Sequence, residues 1–159
     1  MIALDIMVEA EAWAQAGDIE GIALRAAEAA MAAAPETPAE DLAATLLLTD
    51  DAAIRELNRT WRGHDKATNV LSFPSDSPAP PGEPRHLGDI ALAYETLVRE
   101  AGEEGKSLSD HAAHLVVHGI LHLLGQDHLD EADAEAMERL EIAALARIGV
   151  ADPYRDLEA

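Results

Sequence analysis

The sequence predicts an α/β (α+β) domain in which one mixed sheet of roughly four strands packs against helices. Three observations predict it. Short stretches rich in β-formers recur at 2–8, 43–49, 68–73 and 86–93. Apolar residues at helical spacing fill the first two intervals between strands and then take over the second half. No repeat or linker divides the 159 residues, a length that suits one domain over 1–159.

Each element has a local signature. In "IALDIMV" (2–8), Ile2, Leu4, Ile6 and Val8 alternate onto one side, as in a strand. Ile19, Ile22, Ala23, Ala26 and Ala30 share a helix face that should stop near Pro35. "AATLLLT" (43–49) reads as a second strand, followed by Asp50 or Asp51 at a cap position. Ile54, Leu57, Asn58 and Trp61 then recur at helical intervals until Gly63 can end the helix. "TNVLSF" (68–73) is a third strand, stopped by Pro74, and the polar, proline-rich 75–85 is a loop or flap. "HLGDIALA" (86–93) is a fourth strand, and 94–102 a helix ending near Gly102. Ser107 and Asp110 have capping-box spacing before a long apolar helix that runs to about Leu124 and ends at Gly125. Asp130 and Asp133 are caps for a last helix with Ala134, Met137, Leu140, Leu145 and Ile148 on its buried side, closed by Gly149 and Pro153.

Composition narrows the function. Aromatics make up only 3%, so the core is built from Leu, Ile, Val and Ala. No apolar run has transmembrane length, and the start has no basic segment before an apolar one, so neither a membrane span nor a signal peptide is indicated. The absence of cysteine removes disulfides, thiolate ligands and cysteine nucleophiles. It fits a reducing cytosol, and a cytoplasmic location is expected. With 31 acidic against 11 basic residues, the net charge is −20, a field that repels nucleic acid unless positive charge is locally concentrated.

Chemistry concentrates in "HGILHLLGQDH" (118–128). His118 and His122 are four apart, hence one turn apart on one helix face. Gly125 can adopt the left-handed conformation that ends a helix and turns the chain, bringing His128 back toward them. Three imidazoles with an open fourth position are the usual cradle of a catalytic zinc; a closed structural metal, or unrelated packing histidines, are the competing readings. One zinc ion is the first expectation, and iron, nickel or cobalt also suit imidazole. His111 and His114 either line the cleft or serve as ordinary polar groups behind it. Asp127 and Asp130 are candidates for orienting a ligand histidine. Gly119 matters by what it lacks: the H-E-x-x-H pattern of zinc peptidases carries its general base at that position.

A second concentration is positive. Between 54 and 74, Arg55, Arg59, Arg62 and Lys66 face only Glu56 and Asp65, a local net of +2. Arg55, Arg59 and Arg62 are spaced for one side of a helix, either a solvated face or a phosphate-facing patch. Thr68, Asn69 and Ser72 offer neutral hydrogen-bonding groups beside it, and Asp89 is an edge charge or approaches the cleft. The segment 129–159, with nine acidic and three basic residues, reads as solvated surface.

These motifs resemble those of the YbeY family, bacterial metal-dependent endoribonucleases of ribosomal RNA maturation. "HGILHLLGQDH" resembles the family's H-G-x-L-H-L-x-G-Y-D-H motif. "LNRTWRGHDKATNVLSFP" (57–74) and "HLGDI" (86–90) are similar to two further family blocks, and the likeness covers nearly the whole chain. Gln126 departs from the family's tyrosine. The resemblance implies that His118, His122 and His128 are the zinc ligands and that Arg62 is the functionally important arginine, suited to an RNA phosphate. It also implies single-stranded RNA as substrate, with roles in 16S rRNA 3′-end processing, 30S maturation and rRNA quality control. The small ribosomal subunit or its proteins would be the partner. A non-catalytic, metal-stabilised ribosome-assembly protein and a metal-dependent peptidase or amide hydrolase are the alternatives.

Overall fold

The computed structural model describes residues 2–35, 41–75, 80–125 and 131–154. The chain runs β1 (Ile2–Val8), a short 3₁₀ helix (Glu11–Ala16), α1 (Ile19–Ala33), β2 (Leu42–Thr49), α2 (Asp51–Arg62), β3 (Val70–Pro74), β4 (Arg85–Ala93), α3 (Tyr94–Glu104), α4 (Leu108–Leu123) and α5 (Glu131–Arg147). The expected mixed sheet is present, in the order β1-β2-β4-β3. β1, β2 and β4 are parallel, with Leu4 opposite Ala44 and Leu46 opposite Ile90. β3 returns antiparallel along the outer side of β4, with Ser72 opposite Ile90.

Alternation along the central strands separates two layers. Leu42, Ala44, Leu46 and Leu48 of β2 join Ile90 and Leu92 of β4 in the main core, beneath α1, α4 and α5. Ala91 and Ala93 project the other way, into a smaller core with Ile54 of α2 and Leu71 of β3. α2 thus lies on the sheet face opposite α4. That division places the two sequence motifs on opposite sides of β4.

Local chemistry sets the helix ends. Asp50 accepts from the Ala53 amide at 2.8 Å, and Ser107 from the Asp110 amide at 3.1 Å, as the cap signals predict. Gly63 ends α2 with φ 72°. α3 continues past Gly102, whose missing side chain is tolerated in a helix, and ends at Gly105. β3 starts two residues later than the pattern suggests, because Asn69 is drawn into side-chain bonds. Val8, expected on the apolar side of β1, is exposed at the end of that strand. The 3₁₀ helix was not predicted; its anchor is Trp13, 1% exposed, whose indole donates to the Thr49 carbonyl at 2.8 Å. Among the described residues no helix is long and apolar enough to cross a membrane.

Glu100 of α3 joins three segments. It pairs with Nε2 of buried His111 on α4 at 2.9 Å and accepts from Nδ2 of Asn69, ahead of β3, at 3.0 Å. His111 Nδ1 is buried with no hydrogen-bond partner. Burial pushes the His111 pKa below its ordinary 6.5, outweighing the opposite pull of Glu100. The unfolded chain therefore takes up the proton first. The resulting stability is fully present above about pH 6.5 and lost as pH falls through the depressed folded value. Urea midpoints should fall more steeply with acidification below pH 6.5 in the natural chain than in His111→Gln.

Candidate active site

α4 is the central helix of the main core, with Ala112, Ala113, Val116, Val117, Ile120 and Leu121 all buried. His114, His118 and His122 recur every four residues along one partly exposed stripe. The stripe faces α5, where the structure holds a residue the sequence reading missed. Glu141 is 1% exposed, and its Oε1 lies 2.9 Å from His114 Nε2 and 3.2 Å from His118 Nδ1. Its Oε2 accepts from the Tyr154 hydroxyl at 2.9 Å. Burial by itself raises the Glu141 pKa, but the hydrogen bonds to His114 and His118 prevail and hold the carboxyl below the ordinary carboxylate range. Burial, then the charge of Glu141, pushes the Tyr154 phenol up, so it stays a proton donor. An ionised carboxylate accepts only, so His118 Nδ1 donates to it, and in the neutral ring the lone pair is then on Nε2. A signal for Glu141 did exist: it stands four residues after Met137 and four before Leu145, on the buried stripe of α5.

Gly119 has a structural reason. A Cβ built there would lie 2.9 Å from Ile90 Cδ1 and 3.1 Å from its Cγ1 and Cγ2. Helix and strand approach so closely that no side chain fits, and a glutamate would be driven into the main core. At the helix end Gly125 has φ 97°, the positive region expected of it, and its amide donates to the His122 carbonyl at 3.0 Å. His128, Gln126, Asp127 and Asp130 lie outside the described residues. Among the described residues no group of three or more metal-ligating side chains forms.

On the other side of β4, the basic cluster separates. Arg55 forms a two-point ion pair with Asp65, at 2.7 and 3.2 Å, and Arg59 pairs with Glu56 at 2.6 Å. Both pairs are exposed and contribute little to stability, but they neutralise the charge expected to form a patch. Arg62 turns elsewhere. Its Nη2 donates to the Ser72 carbonyl at 2.8 Å, and its guanidinium carbon lies 5.8 Å from the centre of the Phe73 ring. Strand edge and aromatic face together hold it at a cleft of about 570 Å³. α2 contributes Leu57, Trp61 and Arg62 to this cleft; β3 and its exit contribute Ser72 to Ser75; β4 contributes His86, Gly88 and Asp89. Asp89 therefore does approach the cleft. His86 Nε2 lies 3.1 Å from Thr45 Oγ1 and 3.7 Å from Asp89. Asn69 serves the Glu100 junction instead, and Thr68 does not line the cleft.

His118 and His122 are not among the cleft's lining residues. The two halves approach at Gly88, where a Cβ would lie 2.9 Å from Leu123 Cδ2, the residue after His122. The end of the histidine stripe thus abuts the strand that floors the arginine cleft.

Comparison with known proteins decides the family. The family model described as "Endoribonuclease YbeY" matches residues 9–149. The chain belongs to the YbeY family. An "Endoribonuclease YbeY" from Rhodopseudomonas palustris (strain BisA53) is 50% identical over 157 residues, covering 97% of this chain and 91% of the relative. Another, from Chelativorans sp. (strain BNC1), is 51% identical over 152 residues, covering 95% and 92%. The solution structure of TM1509 from Thermotoga maritima has the same fold at TM-score 0.55 and 20% identity, over 99% of this chain and 97% of that one. The resemblance read from the motifs is thus correct, and with it the assignment as an endoribonuclease rather than a peptidase.

Gly119→Ala should gain about 1 kcal/mol of helix propensity and lose about 1–3 kcal/mol to overpacking, a small net destabilisation. Gly119→Glu should lose several-fold more, because it also buries a charge without a partner. Urea denaturation measures both, and trimming the contact with Ile90→Val should recover part of the Gly119→Ala loss.

Proposed function

We propose that this YbeY-family chain is a zinc-dependent, single-strand-specific endoribonuclease in which His118, His122 and His128 hold one metal ion and Arg62 engages the scissile phosphate. The observation that carries the reading is the pairing of His118 with Glu141. Ligand histidines generally donate their second ring N–H to a carboxylate, which orients the ring and raises its basicity. A buried, ionised carboxylate next to His118 also favours a cation at the stripe. His122 stands one turn further along it, and imidazoles without thiolates suit zinc. The residues present therefore fit the metal that the motif implies.

When bound there, the ion supplies an acidified water and Lewis-acid polarisation of a phosphoryl oxygen. The rest falls to the chain. Arg62, braced by Ser72 and Phe73, meets developing phosphate charge with N–H donors that need little reorganisation. Glu141 keeps His118 in one tautomer and Tyr154 fixes the second carboxylate oxygen. The close contact at Gly119 leaves no room for a peptidase carboxylate, which favours phosphodiester over amide chemistry. Products bearing a 2′,3′-cyclic phosphate would assign the nucleophile to the RNA 2′-hydroxyl, and hydrolysed ends would assign it to water.

The substrate we assign is 16S ribosomal RNA at its 3′ end, within 30S maturation and rRNA quality control in the cytoplasm. The net charge of −20 supports recognition on a ribosomal particle, where basic proteins offset the repulsion that naked RNA would meet.

His122→Ala should lose bound metal and RNA cleavage, whereas Arg62→Ala should keep the metal and lose cleavage. Metal analysis and cleavage of a short single-stranded RNA measure the two; full activity in a rigorously metal-free sample would overturn the proposal. Glu141→Gln should remain folded and bind zinc about 10–100-fold more weakly in chelator competition. Unchanged affinity would remove Glu141 from the site.

A further inference from the structure

Trp61 is 70% exposed, although it is one of only two tryptophans in a chain with 3% aromatic residues. The other, Trp13, is buried and hydrogen-bonded. Leaving an indole in water forgoes a large apolar burial that no packing need explains here. Its position suggests a use. Trp61 lines the Arg62 cleft from the last turn of α2, beside Leu57, Phe73 and Pro74. Arg62, the next residue, is held by Ser72 and Phe73, so an anion-binding fork is fixed in the same cleft that the exposed indole lines.

A nucleotide of single-stranded RNA presents that same pair, a flat base and a phosphate. We infer that Trp61 is a nucleobase-stacking platform that receives an unpaired base of the RNA whose phosphate Arg62 engages. This inference rests on the endoribonuclease reading of the cleft and adds the base to it. The chemistry explains two properties together. A paired base cannot leave its stack without cost, so the platform selects single strands. Every base has a π-face, so it tolerates sequence. Stacking draws on apolar and aromatic contact rather than charge, so it adds affinity that the acidic chain does not cancel.

The two tryptophans make a direct test. Zinc-loaded protein is mixed with a short single-stranded RNA in a stopped-flow instrument, and tryptophan emission is read ahead of cleavage. RNA should quench the emission of the natural chain, while Trp61→Phe, which retains only Trp13, should show no quench. Trp61→Ala should keep its thermal midpoint, because the side chain is exposed, and raise Kd for the RNA about ten-fold, with Trp61→Phe in between. An abasic ribose-phosphate oligomer of equal length should bind the natural chain and Trp61→Ala alike. Equal binding of intact RNA by the natural chain and Trp61→Ala, with cleavage retained, overturns the platform and leaves the endoribonuclease reading standing. An equal loss for abasic and intact RNA also overturns it, by showing that Trp61 acts on something other than a base. A natural chain that neither binds nor cleaves RNA overturns both readings.

Discussion

The contact between Gly119 of α4 and Ile90 of β4 is the constraint on which the rest of the molecule depends. α4 carries the histidine stripe on one side and the main core on the other, so it must lie close against the sheet. A glycine at the crossing lets the helix settle directly on a β-branched residue. The separation of α4 from β4 then sets where the stripe stands relative to Gly88 and the cleft beyond it. The same closeness excludes the carboxylate that the superficially similar peptidase motif requires. One missing side chain thus serves packing and excludes an alternative chemistry.

Glu141 illustrates a different balance. Burying a carboxylate costs several kcal/mol unless its lone pairs are met, and a leucine at this place on α5 would continue the apolar stripe. Three donors meet Glu141 instead: His114, His118 and Tyr154. Two segments remote in sequence from α4, α5 and the chain at 154, are thereby tied to its histidines. The arrangement spends stability on the orientation of imidazoles.

Electrostatics is local in this chain. A net charge of −20 coexists with an arginine at the cleft because Glu56 and Asp65, the acids nearest it in sequence, engage other partners. Asp65 and Glu56 neutralise Arg55 and Arg59 on the outer surface, while the backbone of the β3 edge takes Arg62. A carbonyl is a suitable anchor. It fixes the guanidinium without cancelling its charge, as a carboxylate would.

Strand and helix periodicity, the caps at Asp50 and Ser107, and the turn at Gly125 were legible in sequence because each depends on neighbours within a few residues. The spacing of His118 and His122 was legible for the same reason, and the motifs around them and around Arg62 sufficed for the family. The 3₁₀ helix around Trp13 was not legible, because what holds it is the carbonyl of Thr49, 36 residues away. The basic cluster was legible only as a sum: which arginine reaches the cleft depends on which acid or carbonyl the fold brings near. Glu141 stood on a visible stripe, yet a periodic pattern cannot tell a paired buried carboxylate from an exposed one. The sequence by itself determined the elements, their approximate ends and the donor types available for chemistry, since these follow from local backbone and side-chain preferences. Only the tertiary structure decided that α2 and α4 lie on opposite faces of β4, that Gly119 yields to Ile90 and that Glu141 answers His118, since each joins groups that chain proximity does not bring together.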